Sequence, residues 1–477
     1  MTEGRDLELP EDVGVVNVGL PLFAESVAAQ GRPSIQVDWR IPAAGDPVSV
    51  AALRRLSGPL NDQVDAANAE VARRLDTGVP MLVDVRPAAD VLPRLGDRAL
   101  LHPGPAVELS QVCDPLRRSL RVTALAEGWC RTLDEADALL ESGEVTLIPA
   151  NDLDVVVPMA AVVGPSTPLW VCELVTDGER LTAAAPVGQG SGDVAWFGRE
   201  TPAAQERLVL LRDAVGPVLS AAVTDSGPVD VLSLAAQAVA MGDDVHVRTQ
   251  AATNLLIRHL LPSLMASTHQ KAVEVARYMS ANHLLFLTLA MASARTLTAW
   301  AGQVEGSSVV TAMARNGTDF GARLAGGTRW FLSPAPMVGR ALFHPGRGAG
   351  DGAPDIGDSA LLELVGLGGA AAAGSPAVGQ LVGGAAEAAA LTAELDRVCV
   401  ARSTRFTLPT HGGRGTPLGV DVRRVVEHGI TPKVTTGILH RSDGSGQVGA
   451  GVAEAPIGCF RAAMLDLDAR LATDSAR

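Results

Sequence analysis

What most constrains this chain is where its hydrophobic period changes. Through about the first 200 residues the apolar side chains come in short runs between glycines and prolines; from residue 203 to about 345 they recur at helical spacing. Short bounded apolar runs are the pattern of buried strands, and recurrence every three or four residues is that of a helix face. A chain with both patterns in separate stretches needs sheet and helix layers, each with an apolar face to bury. Its 477 residues predict two to four domains at ~100–200 residues each. No internal repeat is visible.

The runs predict the organisation. Residues 13–18, a helical pattern at 23–30 and an apolar run at 35–39 read as strand, helix, strand, the start of a parallel sheet. A helix at 59–76 and strands at 79–85 and 99–102 complete a Rossmann-like α/β domain expected over 10–125. A mixed α/β segment is expected over 126–205: a helix at 133–142 capped by Thr132, strands at 145–149, 155–163 and 169–175, and a flexible surface loop at 186–194. A mainly helical domain is expected over 206–345, where Asp230 caps a helix ended by Gly242 and helices follow at 251–268, 269–280, 283–303 and 307–315. A Gly-rich α/β C-terminal part is expected over 346–477, with a helix at 385–398, a strand at 434–439 and an amphipathic helix at 458–472.

Composition excludes several function classes. Acidic residues outnumber basic ones 53 to 39, a net charge of −14, so the electrostatic footprint of a nucleic-acid binder is missing. Aromatics are 3%, too few for base-stacking platforms. Lysine occurs only as Lys271 and Lys433, and no Gly-Lys-Ser/Thr triplet exists, so no phosphate-loop nucleotide site and no cofactor are expected. Five widely spaced cysteines without a Cys-x-x-Cys fit reduced thiols in a cytoplasmic protein. Residues 1–11 are polar and acidic, which does not read as a signal peptide. Residues 364–386 are uncharged, but they are mostly Gly and Ala, interrupted by Pro376, and read as tight buried packing rather than a membrane span. Residues 278–294 are uncharged too, contain Asn282 and His283, and read as a core helix.

Three stretches carry chemistry. Arg315-Asn316-Gly317-Thr318-Asp319 gathers a guanidinium, an amide and a hydroxyl at what reads as the end of an apolar helix. Arg fits carboxylate or phosphate oxygens bidentately, and Asn can donate to a carbonyl oxygen that gains charge. A helix C-cap with a surface ion pair explains the same residues equally well. Asp355-Ile-Gly357-Asp358-Ser359-Ala360 precedes an apolar run, where Asp358 or Ser359 caps a helix or orients a small amide substrate. It lacks the second glycine of a nucleophile elbow. Met241-Gly-Asp243-Asp244-Val-His246-Val-Arg248 leaves a helix with two acids, an imidazole and a guanidinium, which is either a solvated connection or a site. The Gly-rich loops at 366–369, 413–415 and 449–451 read as turns. Nine scattered histidines without a His-Glu-x-x-His predict no metal.

In this order the segments resemble one family. Val16-Asn-Val-Gly19, Phe23-Ala-Glu-Ser26 and Gln36-Val-Asp38-Trp39 match its opening. Met241-Gly-Asp-Asp244, Met313-Ala-Arg-Asn-Gly-Thr-Asp-Phe-Gly321 and Asp355-Ile-Gly-Asp-Ser359 match its middle. Gly429-Ile-Thr-Pro432 and Val448-Gly-Ala-Gly451 through Cys459-Phe460 match its end. The chain is similar to the YlbE-like (AllG) family, one subunit of bacterial oxamate carbamoyltransferase. The resemblance implies a complex that interconverts oxalurate plus phosphate with oxamate plus carbamoyl phosphate in purine (allantoin) breakdown. It implies as partners an FdrA-like subunit and a third small subunit, with a functional link to carbamate kinase. Carbamoyl transfer needs anion clamps and donors aimed at the carbonyl oxygen. Arg315, Asn316 and His246 are the candidate catalytic residues, and Arg248, Gly317, Thr318, Asp358 and Ser359 the candidate substrate-binding residues.

The chain also departs from the family pattern. The family's Cys-His-rich run is Pro149-Ala-Asn-Asp-Leu-Asp154-Val-Val-Val-Pro158-Met159 here, without Cys or His. Its Gly-Asn-Arg-Ala-Tyr is Gly178-Glu-Arg-Leu-Thr182, and Arg118, Ser119 and Arg121 break a run of small residues. The alternative expectation is therefore a scaffold or regulatory subunit with a degenerate site loop.

Overall fold

The computed structural model of the chain describes residues 14–37, 41–176 and 178–474. The expectations for residues 1–11, and for Val13, Asp38 and Trp39, lie outside them. The chain is mixed α/β. The first strand and helix form as the apolar runs require: Val15–Val18 and Ser34–Val37 pair in parallel across the helix Pro21–Ala29, with Val16 opposite Ile35. Met81–Pro87 does not extend that pair. It joins an antiparallel sheet ordered Glu179–Pro186, Pro168–Thr176, Met81–Pro87, Val229–Asp230. Parallel pairing returns where Ala99–His102 lies beside Thr146–Pro149, across the helices Asp114–Ala126 and Leu133–Glu141. Thr132 caps the second of these, accepting from Glu135 N at 3.1 Å. Asp230 caps Val231–Ala240 in the same way, accepting from Ser233 N at 3.0 Å.

The helix Leu285–Ala301 runs through the centre. Leu285 to Ala294 are all buried, so no polar stripe is required of it. Trp170 Nε1 donates to Thr288 Oγ1 at 3.2 Å and ties the sheet to it. Among the described residues no single helix is long and apolar enough to cross a membrane. The bent pair Ala272–Ala281 and Leu285–Ala301, at 83°, passes that test only when joined. Beyond it come the antiparallel pair Cys399–Leu408 with Arg414–Val420 and two larger antiparallel sheets. One is ordered Phe331–Pro334, Asp319–Leu324, Val310–Asn316, Ile356–Gly357; the other is Val338–Phe343, Gln447–Glu454, Lys433–Leu439. The helices Ala385–Val398 and Ile457–Asp474 form as expected.

Besides the antiparallel placement of Met81–Pro87, the stretch 449–451 is not a turn but lies inside the strand Gln447–Glu454, and four further expectations fail for a physical reason. Residues 307–315 are not a helix: Val310–Asn316 is a strand whose seven residues are all buried. A strand covered on both faces reads as an unbroken apolar run, which spacing cannot separate from a buried helix. Residues 155–163 make only isolated bridges, because Pro158 and Met159, at φ 51°, break the extended backbone. The segment 186–194 is not a surface loop. Val187, Gln189 and Val194 are buried, and Gly188 O accepts from Asn282 Nδ2 at 3.0 Å. Asp358 precedes the short 3-10 helix Ser359–Val365 without capping it.

Candidate functional site

A cavity of about 250 Å³ lies where seven separate stretches meet. Pro158 and Met159, then Trp196 and Phe197, form one part of its wall; His246, Ser359, Thr436 and Gln447 supply its polar groups, and His283 lies with Leu284 and Leu287.

His246 is placed by the turn that leaves Val231–Ala240. Gly242, at φ 94°, ends the helix. The Asp244 carboxylate then accepts from Arg248 N at 2.8 Å and Val247 N at 3.2 Å, while Gly368 N donates to Asp244 O at 2.7 Å. This closed turn holds Val245 at φ 59°. Left-handed backbone at a β-branched residue costs roughly 1–3 kcal/mol and persists only where its surroundings fix it. Met159, the other wall residue discussed above, is left-handed as well. Both thus stand beside the same cavity, Val245 by chain adjacency to His246.

Glu363 faces His246 from the 3-10 helix Ser359–Val365. The Nδ1 to Oε1 distance is 2.9 Å, with His246 4% and Glu363 0% exposed. Glu363 Oε1 also accepts from Gly369 N at 3.2 Å, and Oε2 has no partner. A carboxylate at Nδ1 keeps the proton there and leaves the Nε2 lone pair as the reactive face of the ring. An imidazole oriented in this way is chemically suited to exchanging a proton at Nε2.

A second buried cluster stands behind Thr436. Arg315 is 0% exposed, and its Nε and Nη2 reach the Asp355 carboxylate at 2.8 and 3.1 Å. Thr436 Oγ1 donates to Asp355 Oδ1 at 3.0 Å and accepts from Arg315 Nη2 at 3.5 Å, while Nη1 has no partner. The pair fixes the rotamer of a residue in the cavity wall. Asp358 accepts from Gly104 N at 2.8 Å and Val157 N at 2.9 Å, so it joins three chain segments instead of capping a helix.

Burial pushes the Asp358 carboxyl up to about 7, against the two backbone N–H bonds and the Arg315 charge, which pull it down. The folded chain then holds a proton that the unfolded chain releases near the ordinary 3.8. Stability from this group is present below 3.8 and lost as pH rises through about 7. Asp243, pushed up to about 6 by burial, acts in the same direction. Between roughly pH 4 and pH 7 the thermal midpoint of the native chain should therefore fall more steeply than that of Asp358→Asn. Equal slopes would mean that Asp358 is ionised throughout.

The structure thus brings His246 and Ser359 to the cavity and sets Arg315 and Asp358 in the packing behind it. Four other candidates lie elsewhere. Asn316 Nδ2 donates to Pro105 O at 3.0 Å, and its Oδ1 accepts from Thr318 N and Asp319 N, which shapes the turn between two strands. Gly317, at φ 83°, makes that turn against Cys113, and Thr318 Oγ1 donates to Gln111 O at 2.8 Å. Arg248 pairs with Asp243 at 2.9 Å. The spacing reading missed Glu363, although a lone acid in the apolar run 361–365 was its signal, since a buried charge needs a partner. It also missed Thr436 and His283. Among the described residues no three or more His, Cys, Asp or Glu side chains are grouped to hold a metal ion.

The departures from the family pattern fall into two kinds. Arg118 and Arg121 are taken up by ion pairs to Asp114, Asp137 and Glu200, and Asp152 and Asp154 pair with Arg323 and Arg295. Only Pro158 and Met159, at the end of the altered run, reach the cavity.

The geometry thus defines an α/β chain with a small cavity lined by an imidazole that is paired with a buried carboxylate. Comparison with known proteins gives the family. The model of the oxamate carbamoyltransferase subunit AllG family matches residues 145–359, the stretch that holds His246, Arg315, Asp355 and Ser359. The chain is 38% identical to the oxamate carbamoyltransferase subunit AllG of Escherichia coli K12 over 409 residues, 84% of this chain and 97% of that protein. It is 32% identical to the uncharacterized protein YahG of the same strain over 460 residues, 95% of this chain and 97% of that one. A crystal structure of a conserved protein of unknown function from Enterococcus faecalis V583 superposes with a TM-score of 0.83 at 31% identity, covering 86% of this chain and 99% of that one. The chain belongs to the AllG family.

Proposed function

We propose that this chain is a subunit of an oxamate carbamoyltransferase complex and that the cavity at His246 holds the small amide or ureido acid. The observation that carries the reading is the His246–Glu363 pair at a cavity of about 250 Å³, in a chain alignable over most of its length with a subunit so named. The reaction is oxalurate plus phosphate to oxamate plus carbamoyl phosphate. A phosphate oxygen adds to the ureido carbonyl carbon, the bond from that carbon to the oxamate nitrogen breaks, and the nitrogen takes the proton that phosphate gives up. His246 Nε2 moves that proton. Ser359 and Thr436 orient the ligand, and Arg315 and Asp358 hold the wall.

The partners in this reading are the FdrA-like and third small subunits, with carbamate kinase as the next enzyme. Exposed apolar surface supports assembly. The N-terminal strand–helix–strand unit leaves Val16, Leu22, Phe23 and Ile35 at least 60% exposed. A two-stranded sheet with an open apolar face is not stable as an isolated unit, and such a face marks a contact surface. Val16→Asp with Ile35→Asp should weaken copurification with the FdrA-like subunit and leave the thermal midpoint of the chain unchanged. Retained copurification would place the contact elsewhere. The functional test is a phosphorolysis assay of oxalurate with the chain alone and with co-expressed partners. Turnover is expected only in the second, and full turnover by the single chain would refute the subunit reading.

A further inference from the structure

The cavity wall contains no Arg, Lys, Asp or Glu side chain among the described residues, and its two imidazoles are His246 and His283. The first is occupied at Nδ1 by Glu363. His283 differs in every respect that matters. It stands in the break between Ala272–Ala281 and Leu285–Ala301, and its side chain is exposed, at the solvent side of the cavity. Neither ring nitrogen has a hydrogen-bond partner among the described residues. Its backbone, by contrast, is fixed: His283 O accepts from Thr249 Oγ1 at 2.6 Å and from Thr253 Oγ1 at 3.2 Å. Thr249 and Thr253 lie within one or two helical turns after His246 in the chain, so one short segment sets both imidazoles.

Arg248, next in the chain to the wall residue Val247, is paired with Asp243. Arg207 gives Nη1 to Gln189 O at 3.0 Å and lies over the Tyr278 ring, and Arg199 is paired with Asp193. An unpartnered imidazole on a rigid mount, lining a cavity without Arg or Lys, offers a ring N–H donor to an anion.

We infer that His283 binds the carboxylate of the ligand at the cavity entrance, so that the reacting carbonyl lies towards His246. The inference rests on the reading of the cavity as the substrate site.

The test uses the assembled complex with three ligands: oxalurate as substrate, oxamate as a carboxylate-bearing inhibitor and oxamide as its neutral counterpart. His283→Gln should raise the KM for oxalurate and the inhibition constant of oxamate about 10- to 150-fold, the value of one hydrogen bond to a charged group. The kcat should change by less than about threefold, because the ring does not carry the proton. Oxamide inhibition should be unchanged, and the thermal midpoint should hold, since His283 is exposed and its ring makes no hydrogen bond among the described residues. Unchanged constants for both acids in His283→Gln, with His246→Gln inactive, would overturn the inference and keep the cavity as the site. Equal losses for oxamate and oxamide would overturn it too, because charge would not be what His283 reads. Full activity of both variants would remove the cavity reading, and the inference with it.

Discussion

Arg315→Met should cost the folded chain about 3–5 kcal/mol, the price of leaving a buried carboxylate without its cation. Arg315 and Asp355 are both 0% exposed at the side chain, and the guanidinium meets the carboxylate through two nitrogens. Removing it leaves the Asp355 carboxylate with Thr436 Oγ1 as its hydrogen-bond partner, in a buried position. A buried pair can often be exchanged whole for apolar side chains of similar volume. The double variant Arg315→Met, Asp355→Leu should therefore recover most of the loss. The measurement is the denaturant midpoint of the three proteins. An Arg315→Met midpoint within ~0.5 kcal/mol of the native value, as expected for an exposed cap, would contradict the buried position.

His246→Gln should lower kcat of the assembled complex by about 100- to 10,000-fold, the usual range for losing a positioned acid–base group. Gln preserves a polar side chain of similar reach but cannot carry a proton. Glu363→Gln should lose less, because the imidazole remains and only its orientation and tautomer are loosened. The ordering of the two variants is the content of the prediction. A larger loss in Glu363→Gln, or no loss in either, would put the reacting proton on another group. Helical circular dichroism of each variant separates lost chemistry from lost fold, since replacing His246 leaves Glu363 buried without its imidazole.

The elements legible in the sequence were those with a one-sided pattern or a cap. Thr132 and Asp230 cap the helices that their positions announce, and the C-terminal helix Ile457–Asp474 shows its amphipathic face. Val310–Asn316 was not legible, because burial on both faces erases the alternation that marks a strand. Its misreading carried Arg315 with it: at a helix end a guanidinium reaches solvent, whereas in a covered strand it must find a carboxylate. Asp355 lay 40 residues away, and nothing local pairs the two. His246 was legible from the density of titrating groups around it. Its partner Glu363 is 117 positions further on, brought in by sheets and turns that no spacing rule encodes. The Asn316 side chain shows the opposite case. Its chemistry suited an oxyanion, but a turn between strands consumed both ends of the amide.

The central claim is that the cavity beside His246 is where the small acid binds. A crystal or cryo-electron microscopy structure of the assembled complex with oxamate tests it most directly. The account predicts oxamate density in this cavity, within hydrogen-bonding distance of His246 Nε2 and in contact with Ser359 and Thr436. Oxamate bound only in a partner subunit, with this cavity filled by water alone, would contradict it.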